Sequence, residues 1–126
     1  MKIKLYFFGK SREITTRESD LIKRIGFRSK IEVIDIPQAG ISDSKKAKTE
    51  EADKILKKID KKSFLIAFDE NGRDLDSVEF SRDLKNNLIN YGEVCFVIGG
   101  AHGLGKDVLE RSNQKIRLGK MVWTRN

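Results

Sequence analysis

The sequence is poor in the residues that cross-link a chain and has no segment that would hold it in a membrane. Its 126 residues include one cysteine, Cys95, so an intrachain disulfide is excluded, which is typical of a reducing compartment. No apolar run approaches the roughly 20 residues that cross a bilayer. No signal-peptide pattern begins the chain. These features predict a soluble cytoplasmic protein without a membrane partner, in which Cys95 is a buried small hydrophobic residue.

Acidic residues are outnumbered by basic ones. The chain has 26 lysines and arginines against 19 aspartates and glutamates, which gives a formal net charge of +7. Such an excess attracts polyanions, and RNA or DNA is the first candidate partner. Many of the lysines fall between positions 45 and 62, where they suit equally well the solvated face of a helix and its end. Charge alone leaves both interpretations open.

Hydrophobic periodicity predicts strands that alternate with helices. Strands are predicted at 2–8, 31–36, 63–68, 94–98 and 116–118. Helices are predicted at 11–25, 44–59, 76–91 and 106–113. Asp76 and Glu79 have capping-box spacing, and residues 70–73 (E-N-G-R) predict a turn. The order implies an α/β fold, a single domain over residues 1–126, with a mostly parallel five-stranded sheet and helices on both faces.

The most informative stretch is the apolar run Val94–Ile98 and the glycine-rich loop that follows it. Such a run is typical of a central parallel strand, and glycines just beyond it allow a ligand to approach the backbone. In open α/β sheets ligands bind outside the carboxyl ends of the strands, so we predict the binding site here.

Two nucleotide-binding motifs fit this loop incompletely. The dinucleotide fingerprint G-x-G-x-x-G, begun at Gly103, would need glycine where Val108 stands. The P-loop pattern G-x-x-x-x-G-K is satisfied from Gly100 to Lys106. The next residue, however, is Asp107 instead of the serine or threonine that ligates Mg²⁺. A P-loop-like nucleotide-binding protein is therefore kept as a third hypothesis.

A third pattern fits the loop better. The segment Phe96–Leu104, F-V-I-G-G-A-H-G-L, closely resembles the signature of the SPOUT (α/β-knot) methyltransferases. Four more segments resemble one member of that class, the RlmH (YbeA) family, in the same order along the chain. They are K-I-K-L-Y-F-F-G at the start, I-D-I-P at the end of the second strand, F-D-E-N-G-R-D-L-D-S-V-E-F at 68–80, and R-L-G-K-M-V-W-T at 117–124.

The resemblance implies a fold, a reaction and a site. The fold would be of the α/β-knot type. The reaction would transfer methyl from S-adenosylmethionine to N3 of a pseudouridine in 23S ribosomal RNA, performed by a homodimer on the assembled ribosome. This donor carries no phosphate, so its loop needs glycines and backbone groups rather than a P-loop lysine, and we predict no metal site. The implied cofactor-binding residues are Phe68, Gly100, Gly119, Lys120, Met121, Val122, Trp123 and Thr124.

No catalytic base follows from the resemblance. His102, the only histidine, stands at a place that varies in the family, so we expect it to face solvent. The family pattern also continues beyond residue 126 with a helix that threads the knot and builds much of the dimer contact. We therefore expect an incomplete knot and weakened cofactor binding. A second hypothesis is accordingly a catalytically inactive homologue that only folds or binds RNA.

Overall fold

The computed structural model describes residues 1–8, 22–24, 29–37, 44–98 and 104–118. In these ranges the strands are β1 (Lys2–Phe8), β2 (Lys30–Ile36), β3 (Phe64–Leu75), β4 (Glu93–Ile98) and β5 (Gln114–Leu118). The helices are α1 (Ser44–Leu56), α2 (Ser77–Tyr91) and α3 (Lys106–Arg111). The strands form one parallel sheet in the order β2-β1-β4-β3-β5. The predicted α/β class and five-stranded parallel sheet are confirmed.

The central strand β4 is covered on both faces, as its unbroken apolar sequence predicts. Val94, Phe96 and Ile98 point to the face covered by α2. Cys95 and Val97 point to the opposite face, where α1 and α3 pack. Side chains alternate across a strand, so a strand buried on both faces needs apolar residues at every position. The two hydrophobic clusters place helices on both faces, as predicted.

Helix α2 begins and ends at residues whose capping role was predicted from the sequence. The Asp76 carboxylate accepts from the backbone N–H of Glu79 at 2.8 Å, and the Glu79 carboxylate accepts from the N–H of Asp76 at 3.2 Å. This is the predicted capping box. At the other end Gly92 has φ 74°, and its N–H donates to the carbonyl of Leu88 at 2.8 Å. The helix buries Phe80, Leu84 and Leu88, at the predicted spacing.

The predicted turn at residues 70–73 is wrong. Strand β3 does not end at Phe68 but continues to Leu75, and both Phe68 and Arg73 stand opposite Ile116 of β5. The intervening residues form an irregularity within the strand. Gly72 does not have a positive φ; a Cβ built on it would lie 2.6 Å from the backbone nitrogen of Ile116. The glycine that suggested a turn is required by the closeness of two backbones.

Two predicted helices are shorter than expected. Helix α1 ends at Leu56 rather than Ile59, although Ile59 is still buried below it. Helix α3 ends at Arg111 rather than Asn113, because Ser112 is extended with ψ 137°. The N–H of Asn113 donates to the carbonyl of Leu65 at 2.8 Å, which begins the pairing of β5 with β3.

Part of the prediction lies outside the described residues. Of the helix predicted at 11–25, only residues 22–24 are described; they are helical, and Ile22 is buried. The loop at 99–103, with Gly100 and His102, and the segment 119–126 are also outside, so the expected knot stays a prediction. Among the described residues, no helix is long and apolar enough to cross a membrane.

Candidate functional site

The carboxyl ends of β3, β4 and β5 lie side by side, because β3 lies between the other two in the sheet. Ala67 of β3 stands opposite Val97 of β4, and Phe68 stands opposite Ile116 of β5. Phe68 lies within β3, just before its irregularity, whereas β4 and β5 lead into the other two parts of the predicted cofactor site, the glycine loop and the segment 119–124. The sheet brings the three strand ends together at one edge. The side chains at 100 and 119–124 lie outside the described residues.

Phe68 is the one predicted site residue that the structure describes, and it belongs to a group of three aromatic rings. Its ring is stacked on Phe96 with centroids 5.7 Å apart and planes inclined by 20°. Phe80 completes the group, 6.3 Å from Phe68 and 5.8 Å from Phe96. Phe80 and Phe96 are fully buried, whereas Phe68 is only partly buried. The ring of Phe68 is therefore a flat apolar surface near the strand ends, held in place by the two buried rings.

The irregularity in β3 fixes the position of β5. Beyond the bulge, Asp74 and Leu75 pair with Arg117 and Leu118, and the Asp74 carboxylate lies 3.7 Å from the Arg117 guanidinium. Gly72 contacts the backbone of β5 directly, as its missing side chain allows. This irregularity therefore sets the register of β5, the strand that ends at Leu118, directly before the predicted cofactor segment. The sequence prediction missed this role of Gly72, since the E-N-G-R pattern is typical of a turn.

The end of the glycine loop is packed between β4 and α1. Leu104 is 9% exposed and belongs to the hydrophobic cluster on the α1 face. Gly105 precedes α3 as its N-cap, and a Cβ on it would lie 2.7 Å from the carbonyl oxygen of Lys48 in α1. Only glycine allows this approach without displacement of α1. The loop thus returns to the fold at a fixed point.

The start of α3 is poorly suited to a triphosphate. The Lys106 side chain is 85% exposed, and its ammonium lies 3.9 Å from the Glu110 carboxylate. Asp107 places a carboxylate in the first turn of the helix, where a P-loop binds phosphate through backbone N–H groups. A negative charge there opposes phosphate binding.

Cys95 and Tyr6 are chemically inert at neutral pH. Burial, and after it the Glu93 carboxylate, raises the pKa of the Cys95 thiol to about 11. Burial likewise raises the pKa of Tyr6 to about 12, with smaller contributions from Cys95, Glu93 and Glu32. A thiol that stays protonated is a weak nucleophile, so the prediction of a buried structural cysteine is confirmed.

Arg111 joins two segments that are far apart in sequence, and sequence patterns gave no signal for it. Its Nη2 donates to the backbone carbonyls of Asp60, Lys61 and Ser63 at 3.1, 3.3 and 2.8 Å. Its Nη1 donates to the Asn113 side chain at 3.2 Å, which in turn accepts from the N–H of Leu65 at 2.9 Å. The end of α3 is thereby fixed to the segment that precedes β3.

Comparison with known proteins agrees with the fold. A family model described as a predicted SPOUT methyltransferase matches residues 1–126. The class defined by the fold and by this match is that of the SPOUT methyltransferases.

The curated relatives narrow the class. Ribosomal RNA large subunit methyltransferase H of Enterococcus faecalis is 33% identical over an alignment 132 residues long. The alignment covers 98% of this chain and 83% of that protein. The protein of the same name from Listeria monocytogenes is 34% identical, over 97% of this chain and 82% of the relative. That of Streptococcus suis is 32% identical over the same shares. The chain belongs to the RlmH family of SPOUT methyltransferases, as the sequence resemblance predicted.

Proposed function

We propose that this chain is a methyltransferase of ribosomal RNA that uses S-adenosylmethionine as methyl donor. Its target would be N3 of a pseudouridine in the 23S RNA of the assembled ribosome. The observation that carries this proposal is the match of the RlmH family over essentially the whole chain, with relatives named as large-subunit RNA methyltransferases. The net charge of +7 agrees with an RNA substrate.

The described part of the site fits the chemistry of this donor. An adenine base binds against a flat apolar surface and to nearby backbone groups. Phe68 supplies a partly exposed aromatic ring near the adjacent carboxyl ends of three strands. A sulfonium donor carries no phosphate, so the acidic start of α3 at Asp107 is no obstacle. In this proposal Gly100 and residues 119–124 would supply the rest of the pocket.

When bound, the donor supplies a methyl group on a positively charged sulfur, and the sulfur keeps the electron pair of the carbon–sulfur bond that breaks. The nitrogen of the base forms the new bond and loses its proton. The task of this chain is to align the nitrogen with the methyl carbon and to exclude water. Neither Cys95 nor Tyr6 accepts the proton, because both are buried and protonated at neutral pH. We assign no catalytic base.

We further propose that the active species is a cytoplasmic homodimer, as the family resemblance implies. Analytical ultracentrifugation at micromolar concentration tests the dimer. A mass near twice 14.4 kDa is expected, and a single species at the monomer mass contradicts it.

The decisive experiment is methyl transfer to ribosomes from a strain that lacks the modification. The chain is incubated with these ribosomes and donor labelled in its methyl group, and the nucleosides of the 23S RNA are then separated. Label is expected in a methylated pseudouridine, and ribosomes that already carry the modification should stay unlabelled. Absence of label in both samples contradicts the activity.

Calorimetry separates the remaining alternatives. Heat with S-adenosylmethionine but none with Mg²⁺-ATP supports the proposed cofactor. The reverse result would revive the P-loop hypothesis. Donor binding without methyl transfer would describe an inactive homologue.

A further inference from the structure

Among the described residues, the densest run of lysines without an ion pair lies at residues 57–62, which we name the lysine loop. It connects α1 to β3 and has the sequence K-K-I-D-K-K. Lys57, Lys58, Lys61 and Lys62 are all exposed, whereas Ile59 is 7% exposed and fixes the loop to the core. Four positive charges thus project from six residues against one carboxylate, that of Asp60.

The lysine loop is held in one conformation by hydrogen bonds. Arg111 donates to the carbonyls of Asp60, Lys61 and Ser63. Within the loop, the Asp60 carboxylate accepts from the backbone N–H of Lys62 at 2.9 Å, and the N–H of Ser63 donates to the carbonyl of Asp60 at 3.0 Å. A backbone ordered in advance loses little entropy when its side chains bind a partner.

The charges of the lysine loop are not used inside the fold. Among the described residues, no carboxylate forms an ion pair with any of its four ammonium groups. Helix α1 differs, since its four lysines are accompanied by three acidic residues and Lys54 lies 3.4 Å from Glu50. The excess positive charge of this region therefore lies mainly in the loop, with a net charge of +3, rather than in the helix, with +1.

The lysine loop lies at the edge of the sheet opposite the candidate cofactor site. It precedes β3, so it lies at the amino ends of the parallel strands, whereas Phe68 and the strand ends lie at the other edge. The six residues of β4 span about 20 Å at 3.3 Å per residue. The lysines are therefore too far away to contact the donor or the base that receives the methyl group.

From this charge, rigidity and position we propose that the lysine loop binds the phosphate backbone of the RNA substrate at a distance from the methylated nucleotide. The inference rests on the proposed function for the identity of the RNA. Lysine is a point charge on a flexible stem, suited to phosphate without reading sequence. The loop exposes no apolar side chain, since Ile59 is buried, whereas the centres of protein–protein interfaces are apolar and aromatic. A phosphate partner is thus favoured over an acidic protein.

The test compares two double variants that lose the same charge. Lys61→Gln with Lys62→Gln alters the lysine loop. Arg82→Gln with Lys85→Gln removes two exposed charges from α2, which covers the face of the sheet opposite to that of α1. Affinity for protein-free 23S RNA is measured against salt concentration, together with affinity for S-adenosylmethionine and the melting temperature. Side chains at all four positions are exposed, so both variants should melt within a few degrees of the parent chain.

The loop variant is expected to bind RNA at least tenfold more weakly at low salt. The slope of log affinity against log salt should fall by about 0.7 to 0.9 for each phosphate group that the variant no longer neutralises. The α2 variant should change RNA affinity less than twofold, and donor affinity should be unchanged in both. An equal reduction of RNA affinity in the two variants would show a response to net charge alone and overturn the proposal, as would no reduction in either.

The remaining outcomes are also decisive. A loop variant that binds free RNA normally but ribosomes weakly would indicate a protein contact, which overturns the phosphate assignment. If the parent chain binds RNA through the loop but neither binds donor nor methylates ribosomes, the proposed function fails while the inference stands. The two failures are therefore distinguishable.

Discussion

Glycines near the candidate site are required by the distance between neighbouring backbones. A Cβ on Gly72 would lie 2.6 Å from the Ile116 nitrogen, and one on Gly105 would lie 2.7 Å from the Lys48 carbonyl oxygen. Gly92 differs, because its φ is 74° and nothing lies within 4 Å of its missing Cβ. The first two glycines permit packing and the third permits a turn of the chain.

Gly72→Ala should weaken both the fold and the cofactor site. The added methyl must displace β5, at a cost of roughly 1–3 kcal/mol for an overpacked position. Because β5 leads into the proposed cofactor segment, affinity for S-adenosylmethionine should fall as well. Denaturant unfolding and calorimetry measure the two effects.

Gly92→Ala is the matched control for this substitution. It should lower the free energy of unfolding by about 1 kcal/mol through backbone strain, at the sheet edge away from the site, and leave donor affinity intact. Donor affinity reduced equally in both variants would contradict the assigned role of Gly72.

Phe68 should tolerate leucine but not alanine. Phe68→Ala removes the ring stacked on Phe96 and should lower the free energy of unfolding by about 2–4 kcal/mol. Phe68→Leu keeps an apolar surface and should lower the free energy of unfolding by less than about 1.5 kcal/mol. Donor affinity, measured by calorimetry, should follow the same order. Unchanged donor affinity in a folded Phe68→Ala chain would remove Phe68 from the site.

Cys95 and Tyr6 should make the protein lose stability in alkali. Burial raises the pKa of Cys95 from 9.0 to about 11 and that of Tyr6 from 10.0 to about 12, so the unfolded chain releases these protons first. Their contribution is complete below pH 9 and is lost as the pH rises toward 11 to 12. For Cys95 the loss is roughly 3 kcal/mol, at about 1.4 kcal/mol per pKa unit. Denaturant unfolding from pH 8 to 11 should show a shallower decline for Cys95→Ala than for the parent; identical slopes would contradict the raised thiol pKa.

At the scale of elements, α2 is stabilised by its capping box. Asp76→Ala removes the acceptor for the Glu79 N–H, 2.8 Å away, and should lower the free energy of unfolding by about 1 kcal/mol. Glu79→Gln, which retains a side-chain oxygen for the Asp76 N–H, should cost less. Urea denaturation measures both, and an equal cost would show that charge near the helix end matters more than the hydrogen bonds.

Elements with their own local signals were predictable from the sequence, and those that depend on distant partners were not. Strand β4 and helix α2 follow from an unbroken apolar run and from a capping box with regular leucines. The extension of β3 through Gly72 depends on β5, about forty residues later, and a glycine required by that contact has the same sequence signature as a turn. The contacts of Arg111 with Asp60 and Ser63 likewise have no local signature.

At the scale of the whole molecule, strand order determines the candidate site. From a family resemblance the sequence predicts three segments that would bind the donor, and from strand patterns it predicts a site at the carboxyl ends of strands. It did not show that β3, which contains Phe68, lies between β4 and β5, the two strands that lead into the other predicted cofactor segments. Order in a sheet depends on all pairings at once, so no single segment encodes it.

Donor binding should stabilise the whole chain by mass action. At a concentration one hundred times the dissociation constant, S-adenosylmethionine should raise the free energy of unfolding by about 2.7 kcal/mol. The melting temperature should rise by several degrees in a chain of 126 residues. Mg²⁺-ATP at the same concentration is the control and should have no effect. Equal stabilisation by both ligands would point to nonspecific binding.

The place of β4 between β1 and β3 also affects how the chain is made. Strands β1 and β3 do not pair with each other. Each pairs with β4, which is available only after residues 93–98 have been synthesised. A nascent chain that has reached α2 therefore carries apolar strands whose central neighbour has not yet left the ribosome. Such intermediates are prone to aggregation and to capture by chaperones. We expect protease resistance to appear late in translation, in a single step once β4 has emerged.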